Sequence, residues 1–445
     1  KTNTGATTNV SCHTCTNNTN KAYFNYTVAD GAYSKYFDYS ATGALSGTIT
    51  DQAGNSATLT LPTPATWGSV GSTNTPNSLA STSNASGGYI TIDGDDPTGF
   101  AISSITPVGG NVVTNYINGK NTGQRIVVTL PTNDATIVGG KLLIEANYNN
   151  GGWGSISTPS TGWIISSGEA TAGTKADADV SVSGGSNDLD DLTGWATGNT
   201  VQYRVTVTDA NSNAGTAATF ATASTVDLYA PKVSSVTGAA GNTTARTLKS
   251  GNTEVFELNI VDSNSGASES VKFVDGGNDP SLKLETGSTD AAPTMTDPAN
   301  NASATKLKFS YTIADGETSV ANTDGELITH ATSPLSVGQG TIRDAAGNDL
   351  DTDISALSSP NILKDANIKV DGVSPSAIVL NSIIVAASDA GDTTVQGYWN
   401  KYSDKMTFYM AIPATGTDPT LTGGNIQLKV DFDGDLIWSS EHSIS

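Results

Sequence analysis

At 445 residues, with 36% hydrophobic and only 14% charged side chains, the chain is too long for one small domain and has the composition of neither a charge-rich disordered polymer nor a membrane protein. Its 43 acidic against 21 basic side chains leave a net charge of −22, which excludes nucleic acid or an anionic bilayer as the main partner and suits solubility and cation binding. No apolar run approaches the ~20 residues needed to insert in a membrane, and the chain opens at Lys1 without a signal-peptide pattern, as expected of a mature or excised segment.

In chain order, the first feature is Cys12-His-Thr-Cys15, which holds the only two cysteines. A c-type haem would need His where Thr16 stands, and zinc would need two more ligands from a chain with three histidines. A small local disulfide and a pair of free thiols remain as readings. Next come Phe24-Asn-Tyr-Thr-Val-Ala-Asp-Gly31 and Gly47-Thr-Ile-Thr-Asp51-Gln-Ala-Gly-Asn55, followed by a punctuation in which Asp93 precedes Pro97 by four positions. Proline fixes φ and pushes the residue before it into extended conformations, which suits entry into a first strand.

Beyond that point a different pattern runs through Tyr116-Ile-Asn118, the alternating stretch Arg125–Leu130, Gly139-Gly140 and Lys-Leu-Leu-Ile-Glu-Ala-Asn147. It continues through Trp153, Trp163 and Trp195, the turn cluster Gly184–Asp188, the alternating Val201–Val207 and Asp209-Ala-Asn-Ser-Asn213, and ends at Asp227 before Pro231. The first pattern then returns. Val255–Ile260 and Leu307–Ile313 alternate, Phe309-Ser-Tyr-Thr-Ile-Ala-Asp-Gly316 repeats Phe24–Gly31, and Gly340-Thr-Ile-Arg-Asp344-Ala-Ala-Gly-Asn348 repeats Gly47–Asn55. After Asp371 and Pro375, Tyr398-Trp-Asn400, Pro413, Gly423-Gly424 and Asn-Ile-Gln-Leu-Lys-Val-Asp431 echo the second pattern.

Internal repeats of this kind define the architecture before anything else does. They predict the second half of a type B module over 1–95, a complete type A module over 96–230, a complete type B module over 231–373 and the first half of a type A module over 374–445. Short alternating β-rich runs separated by Gly, Asn, Asp and Ser clusters, with no sustained helical period, predict an all-β chain. The size of the modules fits immunoglobulin-like β-sandwiches, and a string of them is an elongated tandem array.

The Asp-x-Ala-Gly-Asn motif, the Asp-x-x-x-Pro punctuation, Gly397-Tyr-Trp-Asn400 and Leu421-Thr-Gly-Gly424 resemble the bacterial immunoglobulin-like tandem repeats of giant cell-surface proteins and adhesins. The resemblance spans essentially the whole chain. It implies an extracellular, cell-surface location and a structural role as stalk, filament or surface-layer component, or alternatively an adhesin that binds glycans or proteins through module loops. It also implies calcium near domain junctions. The oxygen-rich candidates are Asp51 and Asn55, Asp344 and Asn348, and the junction aspartates Asp93, Asp227 and Asp371. Asp-x-Ala-Gly-Asn is equally a good turn, with Gly supplying φ > 0 and the polar side chains bonding nearby backbone, so a turn alone and a turn that ligates calcium both stand. Asp209–Asn213 keeps the Asp but loses the Gly, which makes its site the more doubtful one. Asp431-Phe-Asp433-Gly-Asp435 begins like an EF-hand, yet Leu436 and His442 stand where Gly and Glu belong, so a hairpin turn accounts for it.

No enzyme is expected. His13, His330 and His442 fall in different modules, and the chain carries no nucleophile elbow, no zinc-protease motif and no phosphate-binding loop. The tryptophans of module A could stack on sugars, but filling a core or a seam is the commoner use. The expected partners are neighbouring repeats or other copies of the chain, head to tail. In the sharpest form of that expectation, the terminal half modules of two chains complete one another by strand addition, against the plainer one of a window cut from a longer array.

Overall fold

Alternation dictates the central strands. In Thr200–Thr208 the side chains of Val201, Tyr203, Val205 and Val207 are fully buried, and those between them are half-buried. Lys306–Thr312 does the same with Leu307, Phe309 and Tyr311. The computed structural model describes residues 8–16, 20–34, 37–64, 79, 90–132, 134–285, 290–317, 328–329, 334–355, 357, 361–365, 368–375, 377–386, 398, 405–411, 426–429 and 441–444. Among them, helix is confined to Ser167–Ala172, Ile362–Asp365 and three 3-10 turns. The protein is all-β, and none of its described helices is long and apolar enough to cross a membrane. Gly397, Trp399, Asn400, Pro413, Leu421–Gly424, Asp431–Asp435 and His330 lie outside the described residues.

The chain divides into two units, one comprising Lys1–Tyr229 with Ala346–Asn348 and the other Ala230–Ala345 with Asp349–Ser445. In the first unit, a sheet runs in the order Trp163–Ile164, Lys141–Tyr148, Thr200–Thr208, Ser224–Asp227 and Tyr116–Asn118. The last two strands are parallel. A second sheet holds Thr174–Ser181, Gly123–Thr129 and Ala101–Val108. Ile126, Val128 and Val180 from this sheet and Leu142, Ile144, Tyr203 and Val205 from the other belong to one core, so two layers enclose a single hydrophobic interior. Each such side chain contributes about 1.5–3 kcal/mol by leaving water. Asn149 and Asn150 both take positive φ, the signature of a type I′ turn, and join Lys141–Tyr148 to Trp153–Ser155 as a hairpin. Ahead of this core, Cys12–Thr14 pairs with Tyr23–Phe24 and Tyr33–Ser34 with Ile92–Asp93. Cys12 and Cys15 are joined in a disulfide with Cα atoms 6.0 Å apart.

In the second unit, Pro231–Gly238, Thr253–Asp262, Lys306–Thr312 and Met295–Asp297 form one sheet, while Val271–Val274 lies between Ser303–Ala304 and Thr341–Arg343 in another. Their inner faces share a core built on Phe256, Leu258, Phe273, Leu307, Phe309 and Ile342. Arg246–Lys249 and Ile368–Asp371 pair in parallel, as the strand before Asp227 does in the first unit. Later strands pair as Val379–Ala386 with Lys405–Ala411 and Ile426–Lys429 with Glu441–Ile444.

Three strands share an irregularity that the repeats did not advertise. In Ala101–Val108, Pro231–Gly238 and Val379–Ala386 the register slips between Ile102 and Ser104, between Val233 and Ser235, and between Leu380 and Ser382. Each is a β-bulge with one unpaired residue: Ser103, Ser234 or Asn381. The hydroxyls of Ser103 and Ser234 donate to the carbonyls of Val127 and Asn259 on the partner strands, at 3.0 and 3.2 Å, which satisfies acceptors beside the break.

Candidate functional site

The recurring Asp-x-x-x-Asn segments are all one kind of turn. Antiparallel bridges Thr50↔Ser56, Thr208↔Ala214 and Arg343↔Asp349 close them at equivalent places. In the first turn Asp51 Oδ1 accepts from the amides of Ala53 and Asn55 at 2.9 and 2.7 Å, and Oδ2 accepts from Asn55 Nδ2 at 2.8 Å. The Asn55 side-chain amide, followed by its backbone amide, holds the Asp51 carboxyl below the usual carboxylate range. Asp209 repeats the pattern with Asn211 N, Asn213 N and Asn213 Nδ2 at 2.9, 2.8 and 2.8 Å, and adds the Thr136 hydroxyl at 3.3 Å.

The loss of glycine from the Asp209 turn does not break it. Ser212 takes φ 76°, beside 90° at Gly54 and 91° at Gly347. A short polar side chain tolerates the left-handed region at a cost of about 1 kcal/mol or more.

The aspartates before each Pro also share one geometry. Asp93, Asp227 and Asp371 each end a strand, and each accepts at Oδ1 from the amide two residues on, Asp95, Tyr229 and Val373, at 3.3, 3.5 and 3.3 Å. These are Asx turns.

Within the first unit the two kinds of motif meet, twice. Asn213 Nδ2 donates to the carbonyl of Asp93 at 3.2 Å, and Asn211 Nδ2 donates to its carboxylate at 2.6 Å. Asn348 Nδ2 donates to the carbonyl of Asp227 at 3.1 Å. The Asn348 turn also enters an asparagine-lined cradle. Asn118 Nδ2 reaches the Ala346 carbonyl at 2.9 Å, Asn111 Nδ2 the Gly347 carbonyl at 2.8 Å, and Gly119 N the Asn348 Oδ1 at 3.1 Å. Gly347 is needed there for space as well as φ, because a Cβ would stand 2.8 Å from Val113 Cγ2 and 3.3 Å from the Asn111 Cβ. Ala346 is fully buried and Asn348 is 5% exposed, whereas every residue of Asp51–Asn55 is exposed.

The residues singled out from the sequence therefore occupy two roles: Asp51 and Asp209 as turn hubs, Asp93 and Asp227 as strand ends whose carbonyls are capped by asparagine. Asn111, Asn118 and Gly119 were missed. They stand more than 200 positions before the turn they hold, and no local pattern marks them.

Calcium, which the family resemblance implies, needs six to eight oxygen ligands. Both oxygens of the Asp51 and Asp209 carboxylates already face N–H donors of their own turn. In the second unit, Glu269 and the buried Asp344 bring carboxylate oxygens within 4.8 Å of one another, a pair of like charges that could supply two of those oxygens.

The remaining polar clusters hold the core together. Glu145 and Arg204, directly opposite on paired strands, form a fork of 2.7 and 3.0 Å with the Trp153 ring 4.5 Å from the guanidinium. Trp163 and Trp195 pack on the core of the first unit, Trp195 edge-on to Tyr148 with ring centroids 6.0 Å apart. Lys175 Nζ sits between Glu169 and Asp177 at 2.7 and 2.9 Å. Glu169 also closes a capping box with Ser166 at the start of Ser167–Ala172, a helix whose Ser-x-x-Glu signature passed unread in the sequence.

No family model matches the chain, and no curated protein matches it.

Proposed function

We propose that the chain is a structural repeat region of an extracellular surface protein, an array of immunoglobulin-like sandwiches of two alternating types that serves as a stalk, filament or surface-layer component. The observation that carries this reading is the repeated junction: an aspartate ending one strand pattern, with its carbonyl capped by the last asparagine of a turn from the next, at Asp93 with Asn213 and at Asp227 with Asn348. A joint that recurs with the same chemistry serves an array better than it serves an active site. Two further features support the sandwich type. In each unit two sheets share one core, and the strand ending at the junction aspartate pairs in parallel with an early strand. The disulfide between Cys12 and Cys15 suits an oxidising, extracellular setting. Two buried glutamates are matched with cations, Glu254 with Arg246 and Glu257 with Lys306, which is structural use of titratable groups and favours a scaffold over an enzyme.

Calcium is part of the proposal at Glu269 and Asp344, where it would relieve the repulsion of the pair. Adhesion is the weaker reading, since Trp163 and Trp195 are occupied by packing. Electron micrographs and solution scattering of chains with increasing numbers of A–B pairs test the array: length should grow by a constant step per pair, and a particle that thickens without lengthening would refute it.

A further inference from the structure

The same turn is buried in one place and bare in another. Asp344–Asn348 and Asp51–Asn55 share Asp, a small pair Ala-Gly and a final Asn, and both run between equivalent antiparallel bridges. The first carries its Ala346-Gly347-Asn348 in the cradle of Asn111, Asn118 and Gly119 and caps the Asp227 carbonyl. The second presents Ala53, Gly54 and Asn55 to solvent.

Gly54 is the telling residue. Among the described residues a Cβ there would meet nothing within 4 Å, and Ser212 shows that a non-glycine residue holds this turn at the same sign of φ. The left-handed backbone at Gly54 favours glycine, but among the described residues there is room for a side chain. A second requirement, for space, is added at its counterpart Gly347, where the wall formed by Val113 and Asn111 leaves no room for a side chain. The type A turn behaves differently, because Asn211 and Asn213 meet the Asp93 end with their own side chains and that end needs no small pair.

We propose that Asp51–Asn55 is a docking surface whose partner is the carboxyl-terminal end of a type A module, with backbone carbonyls of the turn accepting from that module's two asparagines and Asn55 capping the carbonyl of its final aspartate. The selectivity is built into the pair Ala53-Gly54, so a type B turn takes a type A end. This inference rests on the tandem reading above and adds the identity of the partner at a surface left open.

The test adds such a partner to the full chain. Residues 96–285 are joined ahead of Lys1, which supplies a type A module and the segment that precedes the Phe24–Gly31 pattern in its second occurrence. Maleimide labelling is then followed at Ala53→Cys or Ala346→Cys, the native cysteines being in their disulfide. In the original chain Ala53→Cys labels fast and Ala346→Cys slowly. In the extended chain Ala53→Cys should slow by about tenfold, and Asn55→Ala should restore fast labelling. Hydrogen exchange of peptide 50–56 reads the same protection without a substitution. If Ala53→Cys labels equally fast in both chains while Ala346→Cys stays slow, the docking proposal is overturned and the tandem reading survives. If Ala346→Cys is also fast, the shared junction itself fails, and the tandem reading with it.

Discussion

Replacing Asp209 by alanine is the sharpest probe of the turn, because Asp51 provides a built-in reference. Asp209 is 4% exposed, and its carboxylate is the acceptor for the amides of Asn211 and Asn213. Two of its other donors keep partners in the variant, since Asn213 Nδ2 still reaches the Asp93 carbonyl and the Thr136 hydroxyl still reaches Asp134 at 2.5 Å. The loss is therefore two backbone donors to a charged acceptor, at about 1.5 kcal/mol each, or about 3 kcal/mol in total. For a module of this size that lowers the melting point by about 10 °C. Asp51→Ala removes the same local bonds from an exposed turn where water replaces them, and should cost clearly less than Asp209→Ala. Urea unfolding followed by tryptophan fluorescence suits the comparison, because Trp153, Trp163 and Trp195 all report on the structure that carries Asp209. Equal shifts for the two variants would refute the claim that burial, not turn chemistry, sets the strength of these hubs.

Three further outcomes follow from the same geometry. At Gly372 a Cβ would stand 2.4 Å from the Ala314 carbonyl and 2.7 Å from that of Glu317, both backbone, so Gly372→Ala should destabilise the second unit by about 2–3 kcal/mol; a change in urea midpoint worth under about 0.5 kcal/mol would contradict this. Burial alone would raise the Glu169 carboxyl, but hydrogen bonds from Lys175 and Ser166 outweigh it and hold the group low, and the Lys175 hydrogen bond holds Asp177 low as well. Depressed carboxyls stabilise the fold above their ordinary values of 4.5 and 3.8 and lose that contribution as pH falls through the folded values, so acid unfolding should begin below about pH 4.5 and flatten in Lys175→Met. Calcium added to chelator-treated protein should raise the melting temperature, and Glu269→Gln should abolish the rise; an unchanged melt in the parent chain would remove Glu269 and Asp344 as ligands.

Much of the fold was legible because its signals are local. Arg125–Leu130, Val201–Val207, Val255–Ile260 and Leu307–Ile313 alternate in sequence and lie within or along the strands Gly123–Thr129, Thr200–Thr208, Thr253–Asp262 and Lys306–Thr312. The turns were legible too, since an Asp side chain readily accepts from backbone amides two and four residues on. What escaped was relational. Nothing local to Asn118 says that it will hold the carbonyl of Ala346, and the bulges at Ser103, Ser234 and Asn381 depend on which strand lies opposite. The helix at Ser167 was missed for the opposite reason: its capping box was present, but six residues are too few to show a period.

The shared bulge bears on what happens when such a chain is stretched and let go. A strand without such a landmark can return one residue out of step, which turns its whole inner face outward. Here such a slip would bring Ser103 or Ser234 to a place shaped for Ile102 or Val233 and would strand their hydroxyl bonds. The irregularity works as an index notch, so that each segment, once pulled open, re-enters its sheet at one setting.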